Sequence, residues 1–295
     1  MRAVVVFNPT ARGDRARRCL AALRARVAAD ALLPTSAPGS AAALTADACR
    51  RGVDVMIAAG GDGTVSEVVD GMASVAGALE AVRLGVIPLG TINVFARELG
   101  LPRTFERAWQ TIQQGRELRV DLPRVETGAG AARRRHFVQL AGCGLDSRAI
   151  AAVNLAWKRR FGPLAYVLAV LEATRGAQPR VHLRSGSRSL EGELVLVGNG
   201  RFYGGEVAAF PQASLQDGLL DARVFARVTL LTLCRFGLAW LRRRPLSGSV
   251  AAWLQGERLE LTGAAPVPVE VDGDNIGVLP ASFTVQRQAL RVTVP

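Results

Sequence analysis

The chain has 295 residues, enough for two domains, and nearly half of them are apolar with no low-complexity tract, which excludes a disordered or fibrous protein. Its net charge of +12 points to an anionic partner, and Lys158 is the single lysine, which excludes a Walker A loop and a protein-kinase strand lysine. Two histidines, His136 and His182, and four scattered cysteines exclude a histidine-rich metal cluster and suggest neither a zinc site nor a disulfide framework.

The first third alternates strand and helix signals. Residues 3–7 form an apolar, β-branched run that reads as a buried strand, and it is too short for a signal peptide. Asn8-Pro9-Thr10-Ala11-Arg12-Gly13 follows as a loop, then a helical pattern over 14–28. Residues 53–59 and 84–89 read as further strands. Between them Val65, Val68, Val69, Met72, Ala76 and Leu79 recur at helical spacing. Alternation of this kind predicts a parallel sheet in an α/β domain. After about Asp121 the pattern changes to short alternating runs, at 195–197, 267–271 and 283–285, bounded by Gly, Pro and Asp turns. They predict an antiparallel β-sandwich, with helices near 150–174 and 229–243. The expected boundary lies at Leu122-Pro123, giving domains 1–122 and 123–295. The longest apolar stretch, 228–241, is interrupted by Arg235 and too short to span a bilayer, so a cytoplasmic protein is expected.

Gly60-Gly61-Asp62-Gly63-Thr64 falls between a predicted strand and a predicted helix. Glycines there permit positive φ and close approach of backbone N–H groups to a phosphate, to which the helix adds its positive end. The alternative is an ordinary turn into a helix capped by Thr64. Ser66 replaces the third glycine of a dinucleotide fingerprint. Gly90-Thr91-Ile92-Asn93 and Asn8-Pro9-Thr10 have the same placement, so three polar loops follow three strands. In a parallel sheet such loops meet at the carboxyl ends, where ligands bind.

In this order, Asn8-Pro9-Thr10, Gly60 to Glu67, Gly85-Val86-Ile87-Pro88-Leu89-Gly90-Thr91, Lys158 to Tyr166 and Asp217-Gly218-Leu219-Leu220-Asp221 give the chain a resemblance to the diacylglycerol kinase catalytic-domain family, especially its soluble bacterial lipid kinases. Sphingosine kinases share much of this pattern, and NAD kinases share only the glycine-rich loop. The resemblance implies an ATP-binding α/β domain, a β-sandwich domain and a cleft between them, with the last residues able to pack back onto the first domain. It places ATP contacts on Asn8, Pro9, Thr10, Gly60, Gly61, Asp62, Gly63, Thr64, Glu67 and Thr91. Thr35 matches more loosely, through Thr-Ser-Ala-Pro-Gly.

Phosphoryl transfer needs charge neutralisation, usually by Mg2+, and a carboxylate to take the hydroxyl proton. Val271-Asp272-Gly273-Asp274 matches the family's Asp-Gly-Glu, whose glutamate is the proton acceptor. That role falls on Asp274, one methylene shorter, with Asp272 as the fallback and Asp62 as a further catalytic acid. Asp-Gly after an alternating strand is also a common hairpin turn. Ser214-Leu215-Gln216-Asp217-Gly218-Leu219 matches a second magnesium loop, which implies Asp217 and the carbonyls of Ser214 and Leu219 as ligands. Val94 stands where many relatives have aspartate.

A lipid acceptor implies transient contact with a membrane surface. The apolar run 228–241 leads into Arg242-Arg243-Arg244, and Ala156-Trp157-Lys158-Arg159-Arg160-Phe161 is a second candidate. The alternative for 228–241 is a helix packed on the sandwich with a solvated basic end. Nucleic acid is not expected as a partner, and the oligomeric state stays open. The leading expectation is an ATP-dependent lipid kinase. NAD kinase, or a nucleotide- or lipid-binding regulator without activity, are the alternatives.

Overall fold

The computed structural model describes residues 2–11, 13–128, 133–144, 178–205, 207–229 and 251–295, together with 231, 232, 234, 235, 238 and 242. The chain divides into two compact units, Met1–Leu122 with Gln286–Pro295, and Pro123–Val285.

The first unit carries β1 (Ala3–Phe7), α1 (Gly13–Arg24), β2 (Leu32–Pro34), α2 (Ser40–Arg50), β3 (Val55–Gly60), α3 (Asp62–Ala73), α4 (Ala78–Ala81), β4 (Arg83–Pro88), α5 (Val94–Glu98) and α6 (Phe105–Gln114). Its strands run parallel in the order β2-β1-β3-β4. β3 is buried at every residue, as expected of a parallel strand covered on both faces. Val5, Phe7, Ile57, Ala59 and Ile87 join Cys19, Leu23, Ala108 and Ile112 in one core cluster, so α1 and α6 cover one face. The alternate residues Val6, Met56, Ala58 and Val86 are buried too, and α3 lies against β3.

Three sequence expectations shift here. The first helix stops at Arg24 rather than 28. The helical pattern after Gly63 divides, because α3 ends at Ala73 and Gly77, at φ 77°, turns the chain into α4. Thr64 does not cap α3. The helix begins at Asp62 with Gly61 at its N-cap, and Thr64 is buried in the first turn.

The second unit begins within β5 (Arg116–Thr127) and continues through β6 (Arg133–His136), β7 (Leu140–Gly144), β8 (Val181–Ser185), β9 (Arg188–Gly192), β10 (Leu194–Gly198), β11 (Phe202–Tyr203), β12 (Val207–Ala208), β13 (Leu220–Phe225), β14 (Ala252–Gly256), β15 (Arg258–Gly263), β16 (Pro268–Val271) and β17 (Asp274–Val278), ending within β18 (Ala281–Val294). One antiparallel sheet has the order β14-β13-β10-β7-β16-β17. A second antiparallel set places β15 between β8 and the first residues of β18, with β9 beyond β8. Cys143, Val195, Val197, Ala222 and Val269 of the first share a core with Leu183, Leu259, Leu261 and Phe283 of the second. That is a sandwich with alternating inward residues. The last residues of β18 belong to the first unit, where Val292 pairs with Leu84 in parallel.

The expected helix at 150–174, the Lys158–Tyr166 motif and the candidate membrane segment at 156–161 lie outside the described residues. Within 229–243, positions 231, 232, 234, 235, 238 and 242 are helical, and Leu231, Cys234, Arg235, Leu238 and Arg242 are exposed. No helix among the described residues is long and apolar enough to cross a membrane.

Candidate active site

β1, β3 and β4 each end in one of the three polar loops singled out in the sequence, and side chains knit these loops together. Asn8 follows β1. Its Oδ1 accepts the backbone N–H of Thr10 (2.9 Å) and the Thr10 hydroxyl (2.8 Å), and its Nδ2 donates to Thr64 Oγ1 at 3.2 Å. The backbone N–H of Thr35 donates to the Phe7 carbonyl at 2.8 Å, which brings the loop after β2 to the same edge.

The glycines serve packing rather than an unusual backbone. None of Gly60, Gly61, Gly63 or Gly90 has positive φ, contrary to the expectation from sequence. A Cβ on Gly90 would lie 2.6 Å from the Gly61 Cα, and one on Gly60 would lie 2.4 Å from Thr64 Oγ1. The loops after β3 and β4 therefore touch backbone to backbone, a distance that only glycine permits.

The acids of this edge bind helix N-termini. The Asp62 carboxylate accepts the N–H of Phe95 at 3.2 Å and also takes backbone hydrogen bonds from Asn93 and Val94, so from the first turn of α3 it caps α5. Burial pushes its carboxyl above the ordinary value of 3.8, while these N–H groups pull it down. Glu67 does the same for α2, accepting from Gly39 N at 2.8 Å and Ala41 N at 3.1 Å. Asn93 was not singled out as a site residue. It is buried, sits at φ 54°, and brackets Gly90 through two hydrogen bonds of 2.8 and 2.9 Å. Its place before α5 in a Gly-Thr-Ile-Asn loop was the signal available, since asparagine tolerates that backbone better than most residues. Pro9, Thr10, Thr91 and Ile92 are exposed around this buried framework.

In the second unit, Asp272 and Gly273 are the two central residues of a tight hairpin between β16 and β17, with φ of 46° and 92°. Positive φ at both positions identifies the turn type that Asp-Gly favours. Asp272 does more than turn the chain. Its Oδ2 accepts from Val138 N at 2.8 Å and its Oδ1 from Gln139 N at 3.1 Å and Leu140 N at 3.0 Å. Asn199 secures the same segment, donating from Nδ2 to the Val138 carbonyl at 3.0 Å. Asp274, two residues on, is half-exposed, and Arg135 reaches its Oδ2 at 3.4 Å.

The Asp217 loop lies elsewhere in this unit. Asp217 Oδ1 accepts the N–H of Leu219 at 2.9 Å and Oδ2 accepts from Gln255 Nε2 at 3.3 Å, while Ser214 Oγ accepts from Gln216 N at 3.2 Å. Asp221 is buried nearby and held by the Trp253 indole N–H at 2.6 Å. Burial raises its carboxyl most, and the Asp217 charge adds to the rise. Among the described residues no group of three or more His, Cys, Asp and Glu side chains is arranged to hold a metal.

Residues 2–125 match the diacylglycerol kinase catalytic domain, and residues 139–294 match the YegS C-terminal NAD kinase beta sandwich-like domain. The chain belongs to the diacylglycerol kinase-like lipid kinase family. A diacylglycerol kinase of Bacillus subtilis is 28% identical over 302 residues, covering 100% of this chain and 96% of its own. A probable lipid kinase YegS-like of Chromohalobacter salexigens is 30% identical over 80% of this chain and 74% of its own. The fold is also that of a diacylglycerol kinase from Bacillus anthracis, with a TM-score of 0.75 at 22% identity, covering 100% of this chain and 97% of that one.

Proposed function

We propose that this lipid kinase transfers the γ-phosphoryl group of ATP to the hydroxyl of diacylglycerol or a related glycerolipid or sphingoid alcohol. The observation that carries the reading is the joining of the loops after β1, β3 and β4 around the start of α3, through the Asn8–Thr64 bond, the Gly61–Gly90 contact and the Asp62 cap on α5. A helix N-terminus beside closely packed glycines suits a polyphosphate. Asn8, Pro9, Thr10, Thr35, Gly60, Gly61, Asp62, Gly63, Thr64 and Thr91 would then form the nucleotide site. Glu67 serves it by fixing the loop that carries Thr35, since its carboxylate holds the start of α2.

In the second unit Asp274 is the better proton acceptor. Both oxygens of Asp272 are engaged by three backbone N–H groups, whereas Asp274 pairs with Arg135 and is half-exposed. In the transfer, the lipid hydroxyl oxygen bonds to the γ-phosphorus, the bond from that phosphorus to the β–γ bridging oxygen breaks, and ADP leaves. The hydroxyl proton passes to the Asp274 carboxylate.

Magnesium, when bound, supplies neutralisation of phosphate charge. The Asp217 loop offers a carboxylate and backbone carbonyls, oxygen donors of the kind a hard cation takes. Asp217, with the carbonyls of Ser214 and Leu219, would hold that ion. Exposed Leu231 and Leu238 alongside Arg235 and Arg242 support transient contact with an anionic membrane surface.

Incubation with radiolabelled ATP, Mg2+ and a panel of lipids in mixed micelles tests the reading. Label in a lipid phosphate supports it. Label in NAD on addition of that dinucleotide assigns an NAD kinase instead, and nucleotide binding with no transfer to any lipid assigns a non-catalytic regulator.

A further inference from the structure

The strand β6 contributes a residue to the proposed chemistry that its sequence, Arg133-Arg134-Arg135-His136, does not single out. β6 pairs with the end of β5 so that Arg135 lies opposite Val125, while Arg134 lies opposite Glu126. Alternation along the strand separates their fates. Arg134 is exposed and pairs with Glu126 at 2.9 Å, an ordinary solvated ion pair. Arg135 has a side chain only 22% exposed, and its guanidinium reaches the Asp274 carboxylate, which is 48% exposed. The end of β5 is fastened to β17 and to the turn after it at two further points. Thr127 Oγ1 donates to the Ile276 carbonyl at 3.4 Å, and Gly128 N donates to the Pro280 carbonyl at 3.0 Å. A Cβ on Gly277 would lie 2.8 Å from Thr127 Oγ1, so β5 and β17 pack closely.

We infer that Arg135 is the positioning residue for Asp274, holding one carboxylate oxygen so that the other is presented to the acceptor hydroxyl. The inference rests on the reading of Asp274 as proton acceptor. An aspartate is one methylene shorter than the glutamate expected at this position, so its reach is set more strictly by where its carboxylate is held. Arg135 comes from a fastened strand, with little freedom to lose, and a planar guanidinium fixes orientation better than an ammonium would. When Asp274 takes the hydroxyl proton it becomes neutral. Arg135 keeps its charge and the pair relaxes, so the same contact that orients the base is weakened once the proton has moved.

The test is a double-mutant cycle on the full chain with chemical rescue. Arg135→Ala is expected to lower kcat about tenfold to a hundredfold, the scale of a misplaced catalytic group, with ATP affinity unchanged. Added guanidinium ion should restore part of that loss in Arg135→Ala and none in Asp274→Asn. The double variant should be no slower than Asp274→Asn alone, because a positioning residue has nothing left to position. Arg135→Gln and Arg135→Lys, which keep most of the side-chain volume, carry the same comparison if the alanine variant does not fold. Full activity of the Arg135 variants, or a loss that multiplies with that of Asp274→Asn, overturns the role of Arg135 while leaving Asp274 as acceptor. A fully active Asp274→Asn overturns the acceptor reading and this inference with it.

Discussion

The two units use their acidic residues in opposite ways. In the first, Asp62 and Glu67 both come from α3, and both bind the N-terminus of a neighbouring helix. They act on the backbone and shape a surface of loops. In the second, two aspartates separated by one glycine divide the work. Asp272 is given over to three backbone N–H groups, and Asp274 is left to an arginine and to solvent. A carboxylate in a motif therefore says little about its role until its hydrogen bonds are counted.

The largest effect should come from the first unit. Asp62→Ala is expected to reduce phosphoryl transfer to assay background in a chain that still folds, at a stability cost of about 3 kcal/mol because backbone N–H groups at the start of α5 lose their partner. Normal turnover by a folded Asp62→Ala variant would remove the loop from the mechanism. The second unit sharpens the contrast between its neighbouring acids. Asp274→Asn should lower turnover by roughly two orders of magnitude with nucleotide binding retained. Asp274→Glu should keep much of the activity. Asp272→Ala should instead destabilise the fold by about 3 kcal/mol, because it leaves N–H groups of a largely buried segment unpartnered. Urea melts and turnover measured on the same preparations separate the two. Reversed outcomes would transfer the base to Asp272.

Gly90→Ala tests the contact between loops. Its Cβ would meet the Gly61 Cα, so a loss of about 2 kcal/mol and a weaker ATP affinity are expected. Unchanged thermal stability would show that the loops part easily. The smallest effect concerns Glu117, which accepts two hydrogen bonds from Arg291, at 2.8 and 2.6 Å. These hold its carboxyl below the ordinary value of 4.5 and raise Arg291 correspondingly. The unfolded chain then binds more protons in this range. The pair's contribution is present above the ordinary glutamate value and fades as pH falls through the lowered one. Tm measured against pH should separate wild type from Glu117→Gln near neutrality and bring them together in acid.

Much of the architecture is legible in the sequence because it rests on period and punctuation. The apolar runs of β1, β3 and β4 and the loops that follow them are local facts. So is the Asp-Gly hairpin, whose turn chemistry fits in two residues. The roles of individual acids are not local. Asp62 answers to Phe95, 33 positions away, and Asp272 answers to Val138, 134 positions away. Neither partner is chosen by its side chain, since both give only a backbone N–H. Arg135 was illegible for another reason: three consecutive arginines look alike until pairing with β5 assigns their faces. The φ values at Gly60, Gly61 and Gly90 likewise depend on how closely two loops approach, which no single loop specifies.

One strand determines the order in which this molecule can be completed. β18 begins in the second unit and ends in the first, beside β4, so the whole of Pro123–Val285 is inserted between the pieces of a single parallel sheet. A chain emerging during synthesis carries β4 long before it carries Val292. The hydrogen-bonding edge of β4 that Val292 later occupies must stay open while more than half of the protein is made. Closing it is a late, non-local event of the kind that slows folding and leaves intermediates prone to associate. Expression at lower temperature, or with chaperone support, should therefore raise the yield of folded enzyme more than any change confined to the first 122 residues.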